Sequence, residues 1–465
     1  MAGNHRAPLQ RALAVLLTLA LAGCADSLPS LPSLPKITEL NPFAEKQQPL
    51  PGRRVPIFAS QDTKPVGELA SADLPIVLPA PRLNDDWTQP GGEPSNSPVH
   101  LVFSTSPKTA WTADAGTGSS KAGRVTASPI VYGGRVYTLD AAGSVSAYAV
   151  TGGSAQWRVS LVPEREASAG AGFFSGLSLS SSAQGGFGGG IAADGGRVYA
   201  VSGFGKVAAL DPATGKAIWE KSLGTPVRAA PTAVGDKLYI VSMEGRFYCL
   251  NGLDGSEVWV VRGLPQQASL VMNVSPAVGG DIVTVPYPSG DLMALKVADG
   301  SPVWSESLSR TRAGSQLASL SDAATPAIDN GTVFAVGHAG RMVATSALTG
   351  ERLWSANIPS INRPWAAGDT VYVADTEGQL IALARQDGSV RWTVRLPGSK
   401  TWSGPTLAGG LLWVVSSTGQ LIGADAATGR VAHQSEVGGP AYIAPVVAGG
   451  RMFVLRDDAQ LVALN

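Results

Sequence analysis

Past its first two dozen residues the chain carries three histidines, and none is placed to work with another. A zinc site built on one turn needs a second His or Cys a few residues away, and His100, His338 and His433 have no such neighbour. Their predicted roles are structural: His433 stands in a slot that tryptophan fills elsewhere in the chain, and His338 falls in a hairpin turn. Asp211-Pro212-Ala213-Thr214-Gly215 and Asp254-Gly255 resemble calcium loops at first sight. They lack the alternating oxygen ligands that such a loop requires, so they read as turns between strands. Gly203-Phe204-Gly205-Lys206 and the glycine-rich stretch 185–190 could cradle a phosphate only with a helix N-terminus behind them, and no helical pattern follows either. Cys249 occupies a position that is small in every repeat, which packing explains without chemistry. No catalytic, cofactor-binding or metal-ligating residue is therefore expected.

The elements that would have to position any such residue are legible as a repeat. A hydrophobic pair recurs as Val136-Tyr137, Val198-Tyr199, Leu238-Tyr239, Ile282-Val283, Val333-Phe334, Val371-Tyr372, Leu412-Trp413 and Met452-Phe453. Six residues after most of these pairs stands a glycine, such as Gly143, Gly205 and Gly378, as a turn with positive φ demands. Ten residues after stands a small side chain, such as Ala147, Ala209, Cys249 and Ala344, which predicts close packing between neighbouring sheets. Each unit then closes on Thr-Gly or Asp-Gly and an indole: Trp157, Trp219, Trp259, Trp304, Trp354 and Trp392. A period of about 40 to 50 residues with four short strands per unit predicts an all-β, eight-bladed β-propeller over residues 101–465. The indoles are expected to dock one blade on the next. The eighth unit stops at Asn465 before reaching its tryptophan, and Ala110-Trp111-Thr112 precedes the first complete unit. A strand near Trp111 is thus predicted to pair with residues 445–465 and close the ring, leaving no blade with a bare edge.

The amino-terminal part reads differently. His5, Arg6 and Arg11 precede an apolar stretch that ends in Leu21-Ala22-Gly23-Cys24, the pattern of a bacterial lipoprotein signal over residues 1–23. Cleavage before Cys24 and acylation of its sulfur would anchor the chain stably, and outer-membrane attachment facing the periplasm is the predicted location. Between Ala25 and Pro98 lie 14 of the 33 prolines, so residues 24–100 read as a Pro-rich tether. Fully flexible, about 75 residues would reach roughly 45–50 Å. Within it, Asn84-Asp85-Asp86-Trp87 and His100 form a motif that could dock back on the ring. Charge is balanced at 35 basic against 35 acidic residues, with no basic cluster to bind nucleic acid. An insertion at 161–190 holds Phe173-Phe174-Ser175-Gly176-Leu177 in a Gly/Ser frame, a candidate partner contact.

The repeat closing on Thr-Gly and tryptophan resembles the docking motif of pyrroloquinoline-quinone-type propellers. Together with the lipoprotein leader and eight short blades, residues 84–465 resemble the BamB family, propeller lipoproteins of the outer-membrane β-barrel assembly (BAM) machinery. The resemblance implies a non-catalytic scaffold that binds the periplasmic domains of a BamA-like barrel assembly protein. It also implies assistance to the insertion of outer-membrane proteins, with strand edges offered to unfolded barrel clients. Quinone dehydrogenases of the superfamily typically carry a vicinal Cys-Cys pair against the cofactor and a calcium site. This chain has no such pair, so no cofactor is implied. By the same resemblance the partner surface comprises the loops Ser269–Asn273 and Leu320–Ala324, with Leu270, Met272 and Asp322 as contacts. The arginine of the family's first loop is missing here, and Arg310 or Arg312 could supply its charge. Two other readings stay open: a polysaccharide-binding propeller, which would use Trp365 and Trp402, and a degenerate quinone-binding protein with a polar central funnel.

Overall fold

The computed structural model describes residues 74–163, 188–263, 274–287, 289–308, 323–338, 340–399 and 401–465. These form eight four-stranded antiparallel sheets. The second shows how sequence becomes blade. Its strands Gly189–Asp194, Arg197–Ser202, Lys206–Leu210 and Ala217–Ser222 pair in chain order. The first three are almost wholly buried because both faces meet neighbouring sheets, so they read as continuous apolar runs. The fourth alternates between exposed and half-buried positions, and Trp219 is one of its inward residues. The other sheets span 130–160, 232–262, 277–307, 327–356, 365–395 and 402–436, giving blades 1 and 3 to 7. Blade 8 takes three strands from 446–464 and its outer strand, Thr109–Asp114, from the other end of the chain. Trp111 pairs with Ala463 and Thr112 with Val462 in that antiparallel clasp. The closure expected near Trp111 is present, and the first strands of successive blades lie side by side around a central axis.

The indoles that recur with the blades share one environment. Across blade 1 the register runs Tyr137, Ala147, Trp157, and across blade 3 Tyr239, Cys249, Trp259. The small residue is thus the indole's own cross-strand partner, and the aromatic and the indole meet over it at 5.7 and 6.0 Å between ring centroids. The small residue therefore lies beside the indole in its own sheet and not across the gap between sheets. A period in sequence cannot tell a lateral neighbour from a facing one. The surface that receives the ring in the next blade is the turn glycine. A Cβ on Gly215 would lie 2.5 Å from the Trp157 ring, and one on Gly255 2.7 Å from Trp219. Trp111, Trp259, Trp304, Trp354 and Trp392 meet Gly153, Gly300, Gly350, Gly388 and Gly429 in the same way. Each of these seven indoles also donates its Nε1–H to the carbonyl three residues before that glycine, as Trp157 does to Pro212 at 3.0 Å, Trp219 to Gly252 at 2.9 Å and Trp354 to Arg385 at 2.8 Å. Ring contact and hydrogen bond together satisfy both halves of an amphipathic side chain.

The Asp-rich segments are the turns that present these glycines. Asp211 Oδ1 accepts from the amides of Ala213 and Thr214 and from the Thr214 hydroxyl at 2.7 to 3.1 Å. Those donors, the hydroxyl first, hold its carboxyl below the usual range. A carboxylate so occupied is closing a turn. His433, in blade 7, pairs with Gly423 and packs on Trp413 at 5.3 Å.

Residues 82–100, placed within the tether by the density of proline, lie on the ring. Trp87 and Leu101 are 1% and 0% exposed. The reason is physical: the first strand of each blade has a free edge facing the axis, and its unpaired amides and carbonyls need partners.

Candidate functional site

The segment from Asn84 to Leu101 supplies those partners, travelling once around the inside of the ring and touching the blades in order. Asn84 Nδ2 donates to Val447 O of blade 8 at 2.7 Å, and the Asn84 carbonyl accepts from Gly449 N. Trp87 exchanges backbone bonds of 2.7 and 2.9 Å with Val131 of blade 1. Gln89 spans blades 2 and 3: its Nε2 donates to Ala193 O and Ala233 O, and its Oε1 accepts from Ala233 N at 3.0 Å. The carbonyls of Pro94 and Ser95 accept from Val278 N of blade 4 and Ile328 N of blade 5. Asn96 Nδ2 reaches Pro276 O and Pro326 O, just ahead of the same two blades. In blade 6, Trp365 Nε1 donates to Val99 O at 2.6 Å. In blade 7, Leu101 N donates to Leu407 O and its carbonyl accepts from Gly409 N. His100 completes the circuit: its Nε2 accepts from Gly410 N at 2.9 Å, which leaves Nδ1 to donate to Pro79 O at 2.7 Å. The buried polar residues Gln89, Asn96 and His100 are therefore the hub of the ring.

The hub makes the central channel blind. On one side a cavity of about 380 Å³ remains, floored by Trp87, Pro90 and Gly91 and walled by segments that lead into the first strands, including Arg124, Thr325, Arg363 and Tyr442. The Arg363 guanidinium carbon lies 5.0 Å from the centroid of Trp365 and 5.9 Å from that of Trp87. Gly91 permits this approach, since a Cβ there would fall 2.4 Å from Arg363 Nη1. That nitrogen is buried and has no hydrogen-bond partner among the described residues, as is true of Trp87 Nε1 and Asn96 Oδ1. Burial pulls the Arg363 guanidinium down to about 10, with Glu93 acting in the opposite sense. Glu93 itself is paired with Arg82 at 2.8 Å. Among the described residues no group of three or more His, Cys, Asp and Glu side chains gathers to hold a metal ion.

A family model described as outer membrane protein assembly factor BamB matches residues 102–175, 141–394 and 391–465. The chain belongs to the BamB family. BamB of Salmonella typhimurium is 27% identical over 361 residues, which cover 77% of this chain and 89% of that protein. BamB of Yersinia pestis is 25% identical over 339 residues, covering 72% and 84%. The crystal structure of BamB from Moraxella catarrhalis matches with a TM-score of 0.62 at 18% identity, over 77% of this chain and 99% of that one. A quinohemoprotein alcohol dehydrogenase from Comamonas testosteroni reaches 0.63 at 14% identity, over 82% and 80%. At such identities the structural likeness is one of fold.

Of the residues proposed for BamB-like partner contact, Leu270, Met272 and Asp322, and with them Arg310 and Arg312, lie outside the described residues, as does Cys24. The first loop lies wholly outside the described residues, and the segments that follow the two loops are neighbours. Ser275 N donates to Thr325 Oγ1 at 3.1 Å, and Asn96 bridges Pro276 and Pro326. Ala323 and Ala324 are 3% and 0% exposed, so that end of the second loop belongs to the wall. Residues 164–187 of the insertion are likewise outside the described set, while Leu161 at its start is buried. Trp365 and Trp402, the aromatics that a polysaccharide face would use, are 1% and 2% exposed and have their Nε1–H groups bonded to Val99 O and Ser399 O. The docking of Asn84, Trp87 and His100 on the ring matches the expected motif, whereas the full circuit through Gln89 and Asn96, and Arg363 beside it, were missed because neither repeats. The available signal was polar residues inside a proline-rich stretch ending in His100, and an indole at 365 outside the docking period.

Proposed function

We propose that this chain is a non-catalytic accessory factor of the outer-membrane β-barrel assembly machinery, held to the outer membrane by a lipid on Cys24 and facing the periplasm. One observation carries the reading: the BamB family model extends over the ring from residue 102 to residue 465. Relatives of this length bear the name outer membrane protein assembly factor, and the chain covers 84 to 89% of those cited. The scaffold reading agrees with the chemistry of the sequence, which places no vicinal pair of cysteines and no clustered histidines. The finer assignment is that a BamA-like partner docks on the loops carrying Leu270, Met272 and Asp322. Support for it is the adjacency of the segments that follow the two loops, through Ser275 and Thr325, so that one partner surface could span both. Flat partner surfaces concentrate their binding in a few apolar anchors.

The test is co-purification from detergent-solubilised outer membranes. Wild-type protein is expected to bring down the barrel-assembly protein, and the triple variant Leu270→Ala, Met272→Ala, Asp322→Ala to lose it while keeping the thermal transition of the ring. Undiminished recovery with the folded triple variant sinks the site. Recovery of a glycan, or of nothing, from wild type sinks the function.

A further inference from the structure

The blind funnel holds an arrangement that scaffolding does not use. Three buried polar atoms of the hub and its surroundings have no partner among the described residues: Arg363 Nη1, Trp87 Nε1 and Asn96 Oδ1. Two of them are donors, and the residues that carry those donors line the cavity. Buried donors left unpaired are destabilising, a cation most of all, and protein interiors keep them where a ligand or water completes the set. The lining is otherwise short of negative charge. Asp457 already accepts from Ser119 Oγ, and Glu93, the carboxylate that Arg363 senses, is engaged by Arg82 and by Ser95 Oγ. Arg124 adds a second cation at the wall. Around these charges the surface is apolar, formed by Pro90, Val125, Ile361, Pro405 and Ile443. The volume, about 380 Å³, lies in the range of small-molecule sites.

We infer that the funnel floor binds a small organic monocarboxylate: a carboxylate set against the Arg363 guanidinium, with its apolar body against the rings and aliphatic wall. A planar guanidinium favours a planar two-oxygen acceptor. The hub supplies Trp87 and the close approach at Gly91, so the site exists only in the plugged ring. This inference is independent of any partner of the ring, and its test separates the two.

The full-length protein in detergent is titrated calorimetrically with benzoate and, separately, with inorganic phosphate, each up to roughly 10 mM, where a millimolar site is nearly full. Benzoate is expected to bind with one-to-one stoichiometry, about tenfold more tightly than phosphate, because only benzoate uses the apolar wall. Arg363→Met should abolish the binding and Arg124→Met weaken it several-fold. If Arg363→Met fails to fold, Arg363→Lys replaces it: charge is kept, the planar fork is lost, and binding should fall about tenfold. Absence of benzoate binding to wild type, equal binding by a folded Arg363 variant, or phosphate equal to benzoate each overturns the inference.

Discussion

At the residue scale the ring is held by a contact between unlike partners, an indole from one blade and a glycine from the next. The glycine is required twice over at Gly255: its φ is +74°, and a Cβ would meet the Trp219 ring at 2.7 Å. Gly196 has a similar φ, +78°, with nothing within reach of a Cβ. Gly196→Ala should therefore show the conformational cost alone, about 1–2 kcal/mol, and Gly255→Ala should cost more. Trp219→Ala should cost about 3 kcal/mol, toward the lower end for a large aromatic because the ring is only half-buried. In the double variant the clash has nothing to strike, so the two costs should fall short of their sum by about 1 kcal/mol or more. Urea unfolding midpoints of the four proteins decide it, and strict additivity would show that ring and glycine do not meet. The tryptophans were legible in the sequence because they recur. That their small partners lie beside them in the same sheet, and the turn glycines opposite, was not, since both recur with the same period.

The hub is the least repetitive element: the sequence offered a docking motif at Asn84–Trp87 and His100 and hid the circuit between them. Proline and polar residues in succession describe a loop everywhere else, and Gln89, Asn96 and His100 gain a structural meaning only where free strand edges offer them donors and acceptors. Gln89 alone satisfies Ala193 O, Ala233 O and Ala233 N. Replacing it with leucine leaves these three groups buried and unpaired, with an expected loss of about 2–3 kcal/mol. The sharper reading is local: amide hydrogen exchange at Ala233 should accelerate in Gln89→Leu, while Leu250, whose amide belongs to an inner ladder of the same blade, stays protected. Unchanged exchange at Ala233 would mean that the side chain does not reach it. The clasp, in contrast, was readable from a missing tryptophan at the carboxyl end and a spare one upstream.

For the molecule as a whole, the count of blades followed from the repeat, and so did the all-β class, because every unit restates the same strand lengths and turns. The repeat also distributes buried phenols around the ring. Burial pushes Tyr137 and Tyr287 up to about 12, and Tyr239 and Tyr372 higher still. An unfolded chain releases those protons near 10, so between about pH 10 and 12 the unfolded state holds fewer protons and stability must fall as pH rises. Below pH 10 this contribution is fully present. Urea midpoints should decline steeply across that window, and phenolate absorbance from these tyrosines should appear with unfolding and not before it. Titration of all of them near pH 10 in a folded ring would contradict the burial.

The inner circuit also fixes how the ring bears load. A chain that enters at Asn84, passes all eight blades and only then supplies the strand Thr109–Asp114 is wound like a rope on a capstan. Tension applied upstream is taken up in shear by the bonds from Asn84 to Leu101 before any of it arrives at the clasp. Pulling on the amino-terminal side therefore tightens the grip on the axle of the wheel, whereas the same pull on a ring without the circuit would act directly on its one seam.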